Sequence, residues 1–168
     1  MSRLPGRLGE LRAKDIMTRP VITVAQNDTL EAALHTFREQ HITGAPVVSD
    51  DGKLVGILSL ADFMEISKTD EPPQPGTLEH GNQRSVWKIW DNAPALDPDF
   101  LTQSVATRMS EHVKSVRDVS TLVDVARLMC DRHWHRVPVV DAYGTLCGMI
   151  TAMDVLAAMV NVADEPGE

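Results

Sequence analysis

The chain repeats itself. Laid over itself at an offset of 92 residues, the stretch from Ala13 to Met64 matches that from Val105 to Leu156 without a gap, and 13 of the 52 aligned pairs are identical. The identities fall at structural punctuation. Met17/Met109, Thr29/Thr121, Leu30/Leu122, His41/His133, Pro46/Pro138, Gly52/Gly144, Gly56/Gly148 and Asp62/Asp154 are among them. Chance rarely matches Pro, Gly and Asp together at one offset. A duplication of this kind dictates one supersecondary unit built twice, and it bounds the fold more tightly than composition does.

Both copies have the same pattern. A short helical turn carries the Met, and a strand follows over Val21 to Val24 or Val113 to Val116. Thr29 or Thr121 marks a helix start. Apolar residues then recur at helical spacing: Leu30, Ala33, Leu34 and Phe37, or Leu122, Val125, Ala126 and Met129. Pro-Val-Val reads as a strand. A turn on Asp51-Gly52 or Tyr143-Gly144 leads to another strand, Leu54 to Leu58 or Leu146 to Ile150, and a last helix starts near Asp62 or Asp154. The predicted order is β-α-β-β-α twice. A unit this small buries too little alone, so the copies should pack on each other, sheet to sheet, as one pseudo-two-fold α+β module. The expected divisions are 12–66 for repeat one, 67–104 for a linker and 105–160 for repeat two.

Composition narrows the function classes. Sixteen Lys and Arg face 24 Asp and Glu, a formal charge of −8. An acidic chain lacks the basic field that sequence-independent nucleic-acid binding requires. The longest apolar run, Val155 to Val160, is far short of the ~20 residues of a membrane span. The N-terminus has no apolar core of a secretory signal, and there are two cysteines, Cys130 and Cys147. The expectation is a cytoplasmic protein with free thiols. The linker opens Pro-, Gly- and polar-rich and closes on Val86, Trp87, Ile89 and Trp90, one face of a short helix. That face suits either a brace packed on the module or a partner-docking surface.

By these residues the chain resembles the tandem cystathionine-β-synthase (CBS) domain pair, the Bateman module. The resemblance rests on the Asp15-Ile16-Met17-Thr18 start, the Ala45-Pro46-Val47-Val48 and Arg136-Val137-Pro138-Val139-Val140 strands, and two G-x-x-[ST]-x-x-D endings, Gly56 to Asp62 and Gly148 to Asp154. It covers about 12–66 and 104–160, and little remains for an attached enzyme or channel. It implies a regulatory module that binds adenosine-containing ligands (AMP, ADP, ATP or S-adenosylmethionine) between the repeats, forms homodimers and modulates an unidentified partner protein.

The endings suit such a ligand on chemical grounds. Glycine allows close approach to backbone, a hydroxyl at a helix start joins the N–H groups that favour an anion, and an Asp three residues on can accept from a ribose diol. The rival reading makes Ser59, Thr151, Asp62 and Asp154 simple helix caps. The resemblance implies two composite clefts. One joins Ser59 and Asp62 to Val113, Lys114, His135, Arg136, Val137 and Pro138. The other joins Thr151 and Asp154 to Val21, Ile22, Thr43, Gly44, Ala45 and Pro46. The first holds Arg136, a bidentate phosphate ligand, and is expected to prefer phosphorylated ligands; the second has no evident cation.

Other constellations carry less. Cys130, His133, His135 and Cys147 invite a zinc site, but Cys130 falls on the apolar side of a helix and Cys147 in a strand, where thiols act as small hydrophobes. Nucleophile elbows and Walker loops are missing, so catalysis is not expected. Met64, Met129, Met149, Met153 and Met159 lie at core spacing.

Overall fold

Thr29 and Thr121 cap the two central helices. In the computed structural model, which describes residues 9–63 and 98–164, the Thr29 hydroxyl accepts from Ala32 N at 3.2 Å and the Thr121 hydroxyl from Asp124 N at 3.1 Å. The first cap opens α2 (Leu30–Glu39), which follows α1 (Ala13–Ile16); the second opens α4 (Leu122–Arg132). Each helix buries the predicted stripe: Leu30, Ala33, Leu34 and Phe37, or Leu122, Val125 and Met129. Both end at histidines in the left-handed region, His41 at φ 52° and His133 at φ 54°, which accounts for that identical pair.

Each repeat carries a three-stranded sheet. In repeat one β1 (Val24–Ala25) runs parallel to β2 (Gly44–Val48), which is antiparallel to β3 (Leu54–Ser59). In repeat two β4 (Val116–Arg117), β5 (Arg136–Val140) and β6 (Leu146–Thr151) repeat this register at the same offset. The hairpins turn on Gly52 and Gly144, at φ +77° and +83°, a conformation that favours glycine. A 3₁₀ turn (Leu60–Phe63) follows β3, whereas α5 (Ala152–Asp164) follows β6. A short helix α3 (Pro98–Leu101) and a 3₁₀ turn (Val105–Thr107) lead into repeat two.

Two expectations need correction. The first strands cover two residues each, because Thr18 bridges to Met149 and Ser110 to Ile57. The preceding chain is thus drawn to the other repeat, and Val21–Thr23 and their counterparts pair with no strand. The Met-bearing turns, moreover, are exchanged. Val105 is buried in the core of repeat one with Phe37, Leu58 and Phe63, while Ala13 is buried in that of repeat two with Val125, Val137 and Ile150. Backbone bonds tie the exchange reciprocally: Ala13 N donates to Ser120 O and Val105 N to Asp28 O, both at 2.8 Å. Lys53 bridges Thr145, its own counterpart, and so marks the pseudo-axis. Leu54 N to Gly144 O and Leu146 N to Gly52 O, each 3.1 Å, flank it.

The exchange explains a glycine pair. A Cβ on Gly56 would stand 2.6 Å from the Met109 sulfur, and one on Gly148 would collide with Met17. What approaches these glycines is therefore the other repeat's methionine. Phe100 and Leu101, from the expected linker, pack on the core of repeat one. Trp87, Trp90 and Met64 lie outside the described residues. Of the other methionines, Met129 is buried and Met149 half-buried, but Met153 and Met159 are exposed; they fall on the side of α5 away from its core.

Candidate functional site

Each G-x-x-[ST]-x-x-D ending closes on itself. Thr151 precedes the first residue of α5 and Asp154 is the third residue in. Asp154 Oδ2 accepts from Thr151 N and from Thr151 Oγ1, both at 2.7 Å, and Asp154 N donates to Thr151 Oγ1 at 3.2 Å. This is a capping box. In repeat one Asp62 Oδ2 accepts from Ser59 N at 2.7 Å and from Ser59 Oγ at 3.0 Å. The capping reading therefore describes bonds that are present. It uses one carboxylate oxygen; among the described residues Oδ1 of Asp62 and Oδ1 of Asp154 accept no hydrogen bond. All four residues are half-buried, so each spare oxygen sits at the edge of the fold on a carboxylate whose rotamer is already fixed.

Neighbours within each sheet come next. Arg136 is the register partner of Thr151, and Gly44 of Ser59. Directly opposed residues of an antiparallel pair send their side chains to the same face, with Cα atoms about 4.5–5.5 Å apart. The exposed Arg136 thus shares a face with the Thr151 hydroxyl. Sequence reading lodged this cation with Asp62 and left the Asp154 set without one; the sheet seats it beside Thr151. At the counterpart position a side chain would be crowded, since a Cβ on Gly44 would lie 3.0 Å from Leu58 O. Thr43 O accepts from Leu60 N and His135 O from Ala152 N, each at 2.9 Å. The loops before β2 and β5 are thereby held against the helix starts of their own repeats.

The cross-repeat halves of the two sets meet differently. The Thr18–Met149 bridge lays the chain leading to Val21 along β6, and the Ser110–Ile57 bridge lays that leading to Val113 along β3. Val21 lines a cleft of about 530 Å³ between the repeats, with Arg19, Pro20, Thr23, Val48, Gly52, Thr145, Leu146 and Cys147. Its volume suits a small molecule. Strand alternation puts Cys147, Met149 and Thr151 on one face of β6, while Gly148 and Ile150 are buried on the other. One continuous face thus runs from the cleft to the Thr151–Asp154 box, roughly 13 Å over four residues at strand rise. Ala45, Pro46, Val137 and Pro138 are buried within β2 and β5, Ile22 and Lys114 are exposed, and Val113 is half-buried. Ser59, Asp62, Val113, Lys114, His135 and Arg136 share no hydrogen bond across the repeats among the described residues.

The thiols divide. Cys147 lines the cleft, and burial followed by the nearby Asp141 and Asp118 charges pushes its pKa up. Cys130 is exposed, not on the apolar side of α4. Among the described residues no three His, Cys, Asp or Glu side chains converge as a metal site would require, and no helix is long and apolar enough to cross a membrane. Sequence reading did not find Arg19 or Thr145, and weighed Cys147 only as a zinc ligand or a strand thiol. Their place near the pseudo-axis arises only when the repeats meet.

Comparison with known proteins places this geometry. An uncharacterized protein of Methanocaldococcus jannaschii, MJ1426, is 33% identical over 88% of this chain and 90% of its own length. CBSX2, a chloroplastic CBS domain-containing protein of Arabidopsis thaliana, is 29% identical over 96% of this chain and 69% of its own. The crystal structure of CBSX2 in complex with AMP superposes with a TM-score of 0.64 at 26% identity, covering 90% of this chain and 98% of that one. The cytosolic domain of the Mg²⁺ channel MgtE in complex with ATP gives 0.61 at 28% identity, over 88% of this chain and 48% of that one. The family model for the CBS domain matches twice, over residues 13–68 and 103–161, and the chain therefore belongs to the CBS domain family as a tandem pair.

Proposed function

We propose that this protein is a regulatory sensor of adenine nucleotides, and that its Asp154 cleft is a working binding site. The observation that carries the reading is the face shared by the cleft, the Thr151–Asp154 box and Arg136. The base lies between the repeats against Val21 and Cys147. Asp154 Oδ1 accepts from the ribose diol. The phosphate meets the N-terminus of the 13-residue α5, whose N–H groups favour an anion, and the Arg136 guanidinium. The related structures with AMP and ATP support an adenosine ligand. The Asp62 cleft follows the same plan, with Ser59, Val113, Lys114, His135 and the buried Val137 and Pro138, but it has Gly44 where the other has Arg136. Ligand bound between the repeats biases one arrangement of them and so modulates a partner, through differential affinity alone. No catalytic step belongs to this reading.

One observation favours a second reading. Asp62 and Asp154 already accept from the backbone N–H and hydroxyl of Ser59 and Thr151 without a ligand, as they would in an interaction module with vestigial clefts. Calorimetric titration of AMP, ADP, ATP and S-adenosylmethionine separates the two. The sensor reading expects heat from at least one ligand, lost in Asp154→Ala with the fold retained by circular dichroism. It also expects Arg136→Ala to weaken AMP about tenfold to a hundredfold, the equivalent of ~1.5–3 kcal/mol for a charged hydrogen bond, while leaving adenosine unchanged. No heat from any of the four ligands would sink the sensor and leave the interaction module. Binding lost only in Asp62→Ala would move the site to the other cleft.

A further inference from the structure

Met17 and Met109 hold equivalent positions, and their sulfurs are placed alike. Each lies where a glycine of the other repeat would carry its Cβ: Met17 Sδ against Gly148, and Met109 Sδ against Gly56, 2.6 Å from that point. Met17 packs on the core of repeat two and Met109 on that of repeat one. The next residue in each case bridges the repeats. Thr18 N donates to Met149 O at 2.8 Å, and Ser110 N to Ile57 O at 2.9 Å. A thioether is thus wedged beside each bridge, and both methionines are half-buried rather than sealed.

Thioethers oxidise where other apolar side chains do not. A sulfoxide is polar, and its oxygen needs a hydrogen-bond donor when buried. Gly56 and Gly148 are buried and have no side chain to supply one. The contact is also too close to admit another atom. The remaining methionines serve as controls: Met153 and Met159 are exposed on α5, so oxidation there disturbs no packing, and Met129 is buried.

We propose that Met17 and Met109 are a paired oxidation site, at which hydrogen peroxide releases the two repeats from each other. The sulfur lone pair attacks the peroxide. One S–O bond forms, the O–O bond breaks, and the other oxygen leaves with both protons as water; sulfur is oxidised and the peroxide reduced. With an oxygen between sulfur and glycine the turn lifts, and the bridge beside it opens. At Met17 the lifted chain continues into Arg19, Pro20 and Val21, one wall of the cleft. Methionine sulfoxide reductases, with a thiol as electron donor, return the thioether and so the contact. The inference uses a wall of the cleft but no ligand, and stands apart from the nucleotide reading.

Hydrogen peroxide on the full chain carrying Cys130→Ser and Cys147→Ser, which removes thiol oxidation, tests it. Peptide mass spectrometry reads each methionine, and amide hydrogen exchange reads the bridges. Met153 and Met159 are expected to oxidise first, with the Thr18 and Ser110 amides still protected. Oxidation of Met17 and Met109 should then speed exchange at those two amides about tenfold or more. Treatment with both reductases, one for each sulfoxide epimer, should restore protection. Met17→Leu with Met109→Leu, a swap of similar volume, should keep the bridges protected through the same treatment; Met153→Leu with Met159→Leu should not. Sulfoxide at Met17 and Met109 with both amides still protected would overturn the assignment. So would Met17 and Met109 left unoxidised while the half-buried Met149 reacts, or bridges that open in the Met17→Leu, Met109→Leu chain. The first two of these are read with every methionine in place, so the result does not depend on how the leucine variant folds.

Discussion

The two repeats share a backbone and differ in what they do with it. Register, hairpin glycines, left-handed histidines and the bonds from Ser59 or Thr151 to the Asp three residues on recur at one offset. Yet the core of repeat one is aromatic, with Phe37, Phe63 and Phe100 in edge-to-face contact at 6.1 and 6.3 Å, whereas Met129 and Val155 stand in place of Phe37 and Phe63 in repeat two. Repeat one has Gly44 where repeat two has Arg136. In sequence, Glu65 and Lys68 stand where α5 has Ala157 and Val160. The comparison teaches that duplication copies the parts which set chain direction and frees the rest: repeat one has the aromatic core, and repeat two bears the cation beside its Thr151.

The largest expected effect tests the cores. Phe37→Ala removes a fully buried ring with an edge-to-face partner and should cost ~3–5 kcal/mol; Met129→Ala, at the same position in repeat two, should cost less, near ~2–3 kcal/mol. Chemical denaturation measures both. Equal losses would break the claim that the aromatic core is the stronger.

A smaller effect tests the exchange. Gly56→Val and Gly148→Val should each destabilise by ~1–3 kcal/mol through overpacking against Met109 and Met17. Met17→Ala should relieve Gly148→Val and leave Gly56→Val unrelieved. If each glycine variant were rescued by the methionine of its own repeat, the exchange would be wrong.

The smallest effect lies in the hairpins. Asp51 is drawn down to about 2 by the Lys53 ammonium and the Ser49 hydroxyl; Asp141 is lowered by the Thr145 and Tyr143 N–H groups. Folded carboxyls held below their unfolded value, near 3.9, add stability above that pH and lose it as pH falls through the folded value. Melting temperature should therefore drop on acidification below about pH 4, and Asp51→Asn should flatten the acid limb down to lower pH than Asp141→Asn does. Asp51 is exposed and Asp141 only half-buried, so each effect is small and falls with added salt.

Particular residues show where legibility stopped. Thr29 and Thr121 were recognisable as helix starts, and Gly52 and Gly144 as turns, because caps and positive φ are local requirements. The capping alternative for Asp62 and Asp154 was equally local, and its bonds are there. Met153 and Met159 were misplaced because apolar spacing along α5 does not say which of its two apolar sides meets the core; Cys130 falls beside the exposed Arg127 and Asp131 of α4, off its buried stripe. Arg136 was set beside Asp62 on the resemblance alone; its pairing with Thr151 needed the register of β5 on β6.

What the chain alone determined was the unit, its order of elements and its doubling, since these follow from spacing, caps and turn residues within a few positions of one another. What the tertiary structure decided was who fills whose core. Val105 and Ala13 could satisfy either repeat by hydrophobicity, which has no direction. Only the backbone pairing of Ala13 with Ser120 and Val105 with Asp28, fixed in geometry, sends each across the pseudo-axis and brings its methionine against the other repeat's glycine.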